Sequence, residues 1–220
     1  MPELDFTVED ARPEPYAAAP LLVFKLRIRN TTPTVSIRNV MLQCQLRIDA
    51  TRRQYGAQDR DRLVDLFGAP ERWGQTVHSQ LWTHVTALVP RFDETSVVDL
   101  PVPCSFDFNV ATTKYIYGLA DGEVPLEFMF SGTVFYEGAE GQLQLDQISW
   151  SKEAAYRLPV KVWQTMMDLY YPNCAWLRLS RDAFDRLYRY KRERGLTSWE
   201  QAIAQLLDAE PRPEKRRALP

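Results

Sequence analysis

The chain of 220 residues contains few of the residue types from which catalytic and metal sites are usually built. It has two histidines and three cysteines, Cys44, Cys104 and Cys174, and the cysteines form no CxxC pair. Zinc needs three or four nitrogen or sulfur ligands that converge, and this set is too scattered to supply them locally. We therefore expect no metal and no cofactor, and the odd number of cysteines favours a reducing compartment over a disulfide framework.

The sequence also lacks the glycine-rich and nucleophile motifs of common enzyme classes. There is no GxGxxG, no Walker loop and no GxSxG, so the usual sequence evidence for nucleotide binding and α/β-hydrolase chemistry is missing. Carboxylates occur in pairs at several places, but neither spacing nor setting distinguishes any pair, and carboxylate chemistry stays open. We name no catalytic residue, and the absence of these motifs favours a protein that is not an enzyme.

An excess of charge of one sign is absent as well. The 27 basic and 29 acidic residues give a net charge of −2, so no overall field favours a polyanion and we expect no nucleic-acid partner. No segment approaches the roughly 18 apolar residues of a membrane span, and we expect no membrane partner. The first ten residues are acidic where a signal peptide is basic and then apolar, which predicts a cytoplasmic protein.

Hydrophobic residues make up 45% of the chain, enough for a sizeable core, and most of them follow the period-two pattern of half-buried strands. The clearest alternation runs over residues 20–30, a second covers 40–49, and we expect these two strands to pair antiparallel. A helical period interrupts the strands near 57–67, and 111–119 is a candidate short helix. Further strands are predicted at 81–89, 97–110, 124–136 and 143–150.

Two of these strands contain a change of apolar phase, which predicts a β-bulge in each. The first change lies at Ser131 and Gly132, and the second lies within 143–150. Prolines at three strand positions remove hydrogen-bond donors, so those strands are expected at sheet edges or with the affected amides turned away. These prolines are Pro101, Pro103 and Pro125.

Helical periodicity replaces alternation over the last third of the chain. Residues 159–208 predict three helices, with Ser180 as an N-cap and Gly195 as a helix end, and 209–220 predicts a disordered tail. We therefore predict an α+β fold in which an antiparallel β-sandwich or twisted sheet, residues 1–158, carries a packed three-helix element. We expect the helices to bury one shared apolar face formed by Trp163, Met166, Phe184, Leu187, Trp199, Ile203 and Leu206.

The segment YYPNCAW, residues 170–176, is unusually aromatic for a loop between helices. It is expected either to tuck under the sheet or to expose an apolar surface. Cys44 and Cys104 lie in phase with the apolar residues of their strands and are expected to be buried and inert, which leaves Cys174 as the one thiol with a reactive setting. The candidate partner or ligand surface consists of Tyr170, Tyr171, Cys174 and Trp176.

Several phrases of the sequence resemble, as a set, an uncharacterised bacterial family of unknown function, over about residues 4–208. They include DLFGAPERWG, LWTHVTALVPRF, DLPVPCSFDFNVATTKY and AWLRLSRDAFDRLYRYKRERGLTSWEQAI. Members of that family are often encoded beside actinobacterial-type uptake nickel–iron hydrogenases, so the resemblance implies an accessory role in making or supporting such an enzyme. It supplies no active-site residue.

Two functional hypotheses follow from the sequence. The first is a non-catalytic cytoplasmic binding or assembly protein whose partner is another protein, a hydrogenase subunit or maturation factor. The second is a small-molecule enzyme or ligand-binding protein with a pocket between sheet and C-terminal helices, where Trp163, Tyr171, Cys174 and Trp176 meet. A deep pocket with convergent polar groups favours the second hypothesis, and an exposed aromatic surface favours the first.

Overall fold

The fold is α+β, as predicted, with two antiparallel sheets and a group of C-terminal helices. The structure is a computed structural model that describes residues 2–32, 34–104, 110–174, 177 and 179–209. The chain divides into two compact units, Met1–Cys174 and Ala175–Pro220. The predicted tail, 209–220, lies outside the described residues apart from its first residue, which ends the last helix.

The smaller sheet of the first unit has the strand order β1–β2–β5, and both of its pairings are antiparallel. Its strands are β1 (Leu4–Pro13), β2 (Leu21–Asn30) and β5 (Thr95–Pro103). Pro101 and Pro103 lie on β5, which is an edge strand of this sheet, as their missing donors predict.

The larger sheet has five strands and is organised around its longest strand. Its strands are β3 (Ile37–Ile48), β4 (Gln80–Val89), β6 (Glu123–Glu137), β7 (Leu143–Gln147) and β8 (Glu153–Pro159). β3 lies between β4 and β6. The other edge of β6 is shared, since its residues 123–129 pair with β8 and its residues 133–137 pair with β7.

The predicted pairing of residues 20–30 with 40–49 is wrong, because β2 and β3 belong to different sheets. Alternation shows which face of a strand is buried, and both strands do bury one face, but it does not identify the neighbouring strand. Two strands were also missing from the prediction, β1 and β8. The buried alternation of Leu4, Phe6 and Val8 in β1 was a usable signal.

Neither predicted β-bulge exists at its predicted place. β6 pairs with β3 without a register shift through Gly132, where the strand partner on the opposite edge changes from β8 to β7. The change of phase in 143–150 arises because β7 ends at Gln147. Register shifts do occur elsewhere, for example in the β3–β4 ladder, where Trp82 is the extra residue on β4.

The two sheets pack face to face and form one core lined with aromatic side chains. The ring of Phe6 stacks on that of Phe130 with centroids 4.3 Å apart, and Phe24 meets Phe128 edge-on at 5.2 Å. The alternating inward residues of both sheets are buried together, the arrangement of a β-sandwich. Helical segments close the core with Tyr115, which is fully buried.

The described residues of the first unit include the α-helices α1 (Ala57–Arg62), α2 (Val64–Phe67), α3 (Trp73–Thr76), α4 (Val110–Gly118) and α5 (Val160–Tyr170). The predicted helix near 57–67 is two short helices that meet at Leu63 and end at Gly68, whose φ is 76°. α5 packs on β1, β2 and β8 and buries Trp163 and Met166. The chain therefore divides after Cys174, whereas we had predicted a boundary after Leu158.

In the second unit, residues 177 and 179–209 are described, and they form α6 (Arg181–Glu193) and α7 (Trp199–Ala209). Ser180 is the N-cap of α6, as predicted, and its hydroxyl accepts a hydrogen bond from the Ala183 amide. The Ser198 hydroxyl accepts from the Gln201 amide at the start of α7. Within the described residues, no helix combines the length and apolar character needed to cross a membrane.

Candidate functional site

Tyr170, the first residue of the predicted surface, has a structural role. Its hydroxyl donates to the Glu14 carbonyl at 2.5 Å and accepts from the Ala17 amide at 3.0 Å. These two bonds attach the end of α5 to the loop between β1 and β2, and the ring packs against the core. Since both hydrogen-bonding capacities of the hydroxyl are used by backbone groups, we assign Tyr170 to the scaffold.

Of the other predicted residues, the structure describes Tyr171 and Cys174. Tyr171 is half-buried, and its carbonyl accepts a hydrogen bond from the amide of the exposed Cys174 at 3.2 Å. Trp176 lies outside the described residues. Trp163, which the ligand-binding hypothesis placed at the pocket, is 3% exposed and belongs to the core of the first unit.

The two strand cysteines are buried and unoxidised, as their phase predicts. Cys44 is 2% exposed and Cys104 is 4% exposed, and all three cysteines are free thiols. Burial raises the pKa of each buried thiol to about 12, because the thiolate would lose its hydration. Both remain neutral at physiological pH, where a thiol acts as a small hydrophobic side chain.

An ion pair that was not predicted lies where the helical excursion meets the start of β6. Arg53 and Asp59 are paired at 3.2 Å, and each side chain is 9% exposed. The guanidinium also donates to the carbonyls of Asp121 and Glu123, both at 2.6 Å. The second oxygen of Asp59 accepts from the Ala120 amide at 2.9 Å. The pair thereby fixes α1 to the turn before β6.

Two tyrosines continue this polar region into the core. The hydroxyl oxygens of Tyr55 and Tyr115 are 2.9 Å apart, and the Tyr55 hydroxyl donates to the Ala50 carbonyl at 2.7 Å. Burial raises the pKa of both phenols, so neither ionises near neutral pH. Sequence reasoning missed this network because TRRQYGAQDRDR has the composition of a solvated surface. Its groups bond mainly to one another and to backbone, which is the chemistry of a structural clasp.

A small cleft beside β1 and β7 offers little room for a ligand. Its volume is about 40 Å³, and its lining includes Asp146 and Lys152. The Lys152 ammonium is paired with Glu3 and, at 3.3 Å, with Asp5. A space of this size suits water rather than a substrate. Across the part of the chain that the structure describes, no group of three or more His, Cys, Asp or Glu could hold a metal ion.

The second unit presents a different kind of surface. The Trp199 ring on α7 lies 5.3 Å from that of Phe184 and 6.1 Å from that of Tyr188, measured between centroids. Phe184 and Tyr188 are stacked, and the Lys191 ammonium lies 5.5 Å from the Trp199 centroid. These contacts are aromatic and cation–π interactions between the two helices.

This surface remains substantially open to solvent. Phe184 is 46% exposed and Leu206 is 42% exposed. We call it the aromatic face, and define it by Phe184, Tyr188, Trp199, Ile203 and Leu206. Trp163 and Met166 lie in the core of the first unit, and the burial of one face shared by them and the helices of the second unit stays a prediction.

A second apolar area lies on the outer side of the larger sheet. Met41 on β3 is directly opposite Leu88 on β4, and the two side chains are 59% and 71% exposed. Leu145 on β7 is opposite Phe135 on β6 and is 64% exposed. Isolated exposed leucines are normal on protein surfaces, and this area carries no aromatic cluster comparable to the aromatic face.

The geometry thus defines a β-sandwich protein that carries a two-helix unit with an exposed aromatic surface. The sequence over residues 1–215 matches the model of a family of unknown function, DUF6084, and the chain belongs to that family. This finding agrees with the resemblance to an uncharacterised family. A search of curated proteins found no match.

Solved structures share only a distant likeness with this chain. A late embryogenesis abundant (LEA) protein is 13% identical, with a TM-score of 0.32, over 72% of this chain and 73% of that one. A protein described as ApaA from Bordetella pertussis is 14% identical, with a TM-score of 0.25, over 71% and 93%. A β-glucosidase from Kluyveromyces marxianus is 8% identical, with a TM-score of 0.24, over 71% and 15%. Likenesses of this strength carry no inference about function.

Proposed function

We propose that the protein is a non-catalytic binding or assembly protein that recognises another protein through the aromatic face of its second unit. The observation that carries this proposal is the exposure of stacked aromatic side chains, with Phe184 at 46% and Tyr188 at 51%. Large aromatic side chains that are partly exposed and clustered are typical of the centres of protein–protein interfaces.

The energetics of the two helices support the same reading. α6 has 13 residues and α7 has 11, lengths at which isolated helices are marginal in water. Among the described residues of these helices, Ala202 alone is classed as buried. Two helices that bury so little apolar surface gain from a further surface that covers their shared apolar side.

The identity of the partner is proposed on the family resemblance alone. The proposed partner is a subunit or a maturation factor of a nickel–iron hydrogenase, and the two proteins bind in the cytoplasm. In that role the first unit is the rigid body, held by its sandwich core and by the clasp of Arg53 and Asp59, and the second unit is the recognition element. No catalytic step by this chain is part of the proposal.

The test is co-purification with the full-length tagged chain from a native host that expresses such a hydrogenase. The double variant Phe184→Asp/Leu206→Asp places two charges on the aromatic face and is expected to abolish recovery of hydrogenase subunits or maturation factors. Leu145→Asp is the matched control, because Leu145 is also an exposed leucine but lies on the larger sheet. Equal recovery with wild type and the double variant would sink the proposal, and so would recovery no better than from an untagged strain.

A further inference from the structure

We infer that the partner surface covering the aromatic face is an apolar groove with an acidic rim. This inference rests on the proposed function and adds the chemistry of the partner. Its basis is the distribution of charge around α6, which differs between the side that carries the aromatic residues and the opposite side.

Helical geometry places bases beside the aromatic residues of α6. At 100° per residue, Arg181 and Arg192 lie about 60° and 80° around the helix from Phe184, on the same side as Tyr188. Both arginines are exposed. Lys191 projects from the centre of this side, with its ammonium over the Trp199 ring. The side of α6 that carries Phe184 and Tyr188 is thus bordered and crossed by cations, while α7 carries none and has Glu200 in its first turn.

The acids of α6 are concentrated away from that side. Asp182 and Glu193 lie about 160° and 180° from Phe184, on the back of the helix, and Asp182 pairs there with Arg186 at 4.0 Å. Asp185, at about 100°, is the one acid near the border. Arg186 at the back of the helix therefore has an anionic partner, whereas within the described part of the chain Arg181 and Arg192 form no ion pair, although Asp185 follows Arg181 by four residues.

The wider charge balance points the same way. Residues 1–174 contain 16 lysines and arginines against 22 aspartates and glutamates, whereas residues 175–220 contain 11 against 7. A second copy of the same helices would bring cations against cations, which opposes self-association through this face. A complementary protein would instead supply carboxylates at the rim and an apolar floor for Phe184, Tyr188 and Leu206, as grooves that bind amphipathic helices do.

The experiment uses the full-length chain and two synthetic helical peptides as probes. Both peptides have leucine at positions i, i+3, i+4 and i+7, and one has glutamate and the other lysine at the flanking positions. We expect the glutamate peptide to bind at least roughly tenfold more tightly and its affinity to fall as salt is raised from about 50 to about 300 mM. Equal affinities for the two peptides would overturn the acidic rim and leave the proposed function standing.

Two double variants locate the charge effect. Arg181→Gln/Arg192→Gln is expected to weaken binding of the glutamate peptide about tenfold. Arg186→Gln/Arg189→Gln removes the same charge from the opposite side of α6 and is expected to leave binding unchanged. Equal loss in both variants would show that net charge alone attracts the peptide, and would overturn the inference.

Further binding measurements on the same chain distinguish a protein partner from a membrane or a nucleic acid at the aromatic face. Binding to phosphatidylserine vesicles or to single-stranded DNA, with no binding of the glutamate peptide, would overturn an acidic protein groove in favour of a membrane or a nucleic acid. Failure to bind any of these probes would also overturn it. The co-purification experiment decides the proposed function independently of these outcomes.

Discussion

The two units of this chain use the same kinds of residue with opposite results. In the first unit Phe24 is enclosed between two sheets and is fully buried, whereas in the second unit Phe184 is packed against one neighbouring helix and stays 46% exposed. A layer of secondary structure buries a side chain only if another layer faces it. The comparison shows that an apolar stripe on a helix identifies a surface that is stabilised by burial. The stripe does not identify the layer or the partner that buries it.

The largest expected effect on stability comes from replacing phenylalanine by alanine in the core of the first unit, and the same replacement in the second unit is its comparison. Phe24→Ala is expected to lower the free energy of unfolding by about 3–5 kcal/mol, because it empties space between Phe128 and Trp82. Phe184→Ala is expected to lower it by less than about 1 kcal/mol, since that ring is already half in water. Urea unfolding followed by circular dichroism measures both. Similar losses for the two variants would remove the contrast between the units.

The contrast between buried and exposed side chains can also be tested at two neighbouring arginines, Arg53 in the buried ion pair and the exposed Arg52. Arg53→Met is expected to destabilise the protein by about 3 kcal/mol, because Asp59 would remain buried without its cation. The neighbouring Arg52 is 66% exposed and pairs with Asp49 at 2.8 Å, so Arg52→Met is expected to cost less than about 1 kcal/mol. Chemical denaturation of both variants checks this, and equal costs would show that the clasp contributes nothing special.

A smaller loss of stability is expected at Gly132, where the backbone of β6 leaves no room for a side chain. Gly132 has a φ of 132°, and a Cβ there would lie 2.0 Å from the Met41 carbonyl oxygen. Gly132→Ala is therefore expected to destabilise by about 2 kcal/mol or more, through strain and a forced shift of β3. Gly74 is exposed, with open space around its Cβ position, and Gly74→Ala in α3 is expected to be neutral or slightly stabilising. Thermal melting distinguishes the two, and a wild-type melting temperature for Gly132→Ala would contradict the close approach.

The smallest expected effect is a change in how stability depends on pH, and it comes from the buried thiol of Cys44. The folded-state pKa of Cys44 is about 12 against an ordinary 9.0, so the folded state keeps its proton where the unfolded state loses it. This stabilisation is complete below about pH 9 and is lost as the pH rises towards 12, at about 1.4 kcal/mol per pH unit. Unfolding free energies at pH 8 and pH 10 should show a shallower fall for Cys44→Ala than for wild type. An equally steep fall for Cys44→Ala and wild type would show that the Cys44 thiol is not buried in the folded protein.

The strands were predictable because burial on one face imposes a period of two. Leu42, Cys44 and Leu46 are all buried, and that pattern located β3. Their neighbours in the sheet were not predictable, since β3 pairs with β6, far along the chain, rather than with the preceding strand. Periodicity is a property of a single segment, and pairing depends on how segments are connected in space.

The candidate site was predictable in part, for a similar reason. The helical spacing of Phe184 and Leu206 identified an apolar side, but its exposure depends on which layers face it. Arg53 and Asp59 were missed because their burial comes from the turn at Asp121, more than 60 residues further along the chain. The hydroxyl partners of Tyr170 are likewise more than 150 residues away and leave no local signal.

The pairing of β3 with β6 has a consequence for the time the protein takes to fold. The register joins Ile48 to Leu126 and Ile37 to Tyr136, residues about 80 to 100 positions apart. Closing a loop of this length costs entropy before any contact repays it, and proteins rich in such distant pairings fold in milliseconds to seconds. Until β6 is in place, β3 has one open edge, and the inner face of β2 lacks the aromatic side chains that β6 places against it, such as Phe128. During that interval the apolar strands of the future core are the segments most exposed to aggregation, and a chaperone has its main opportunity to act on this chain.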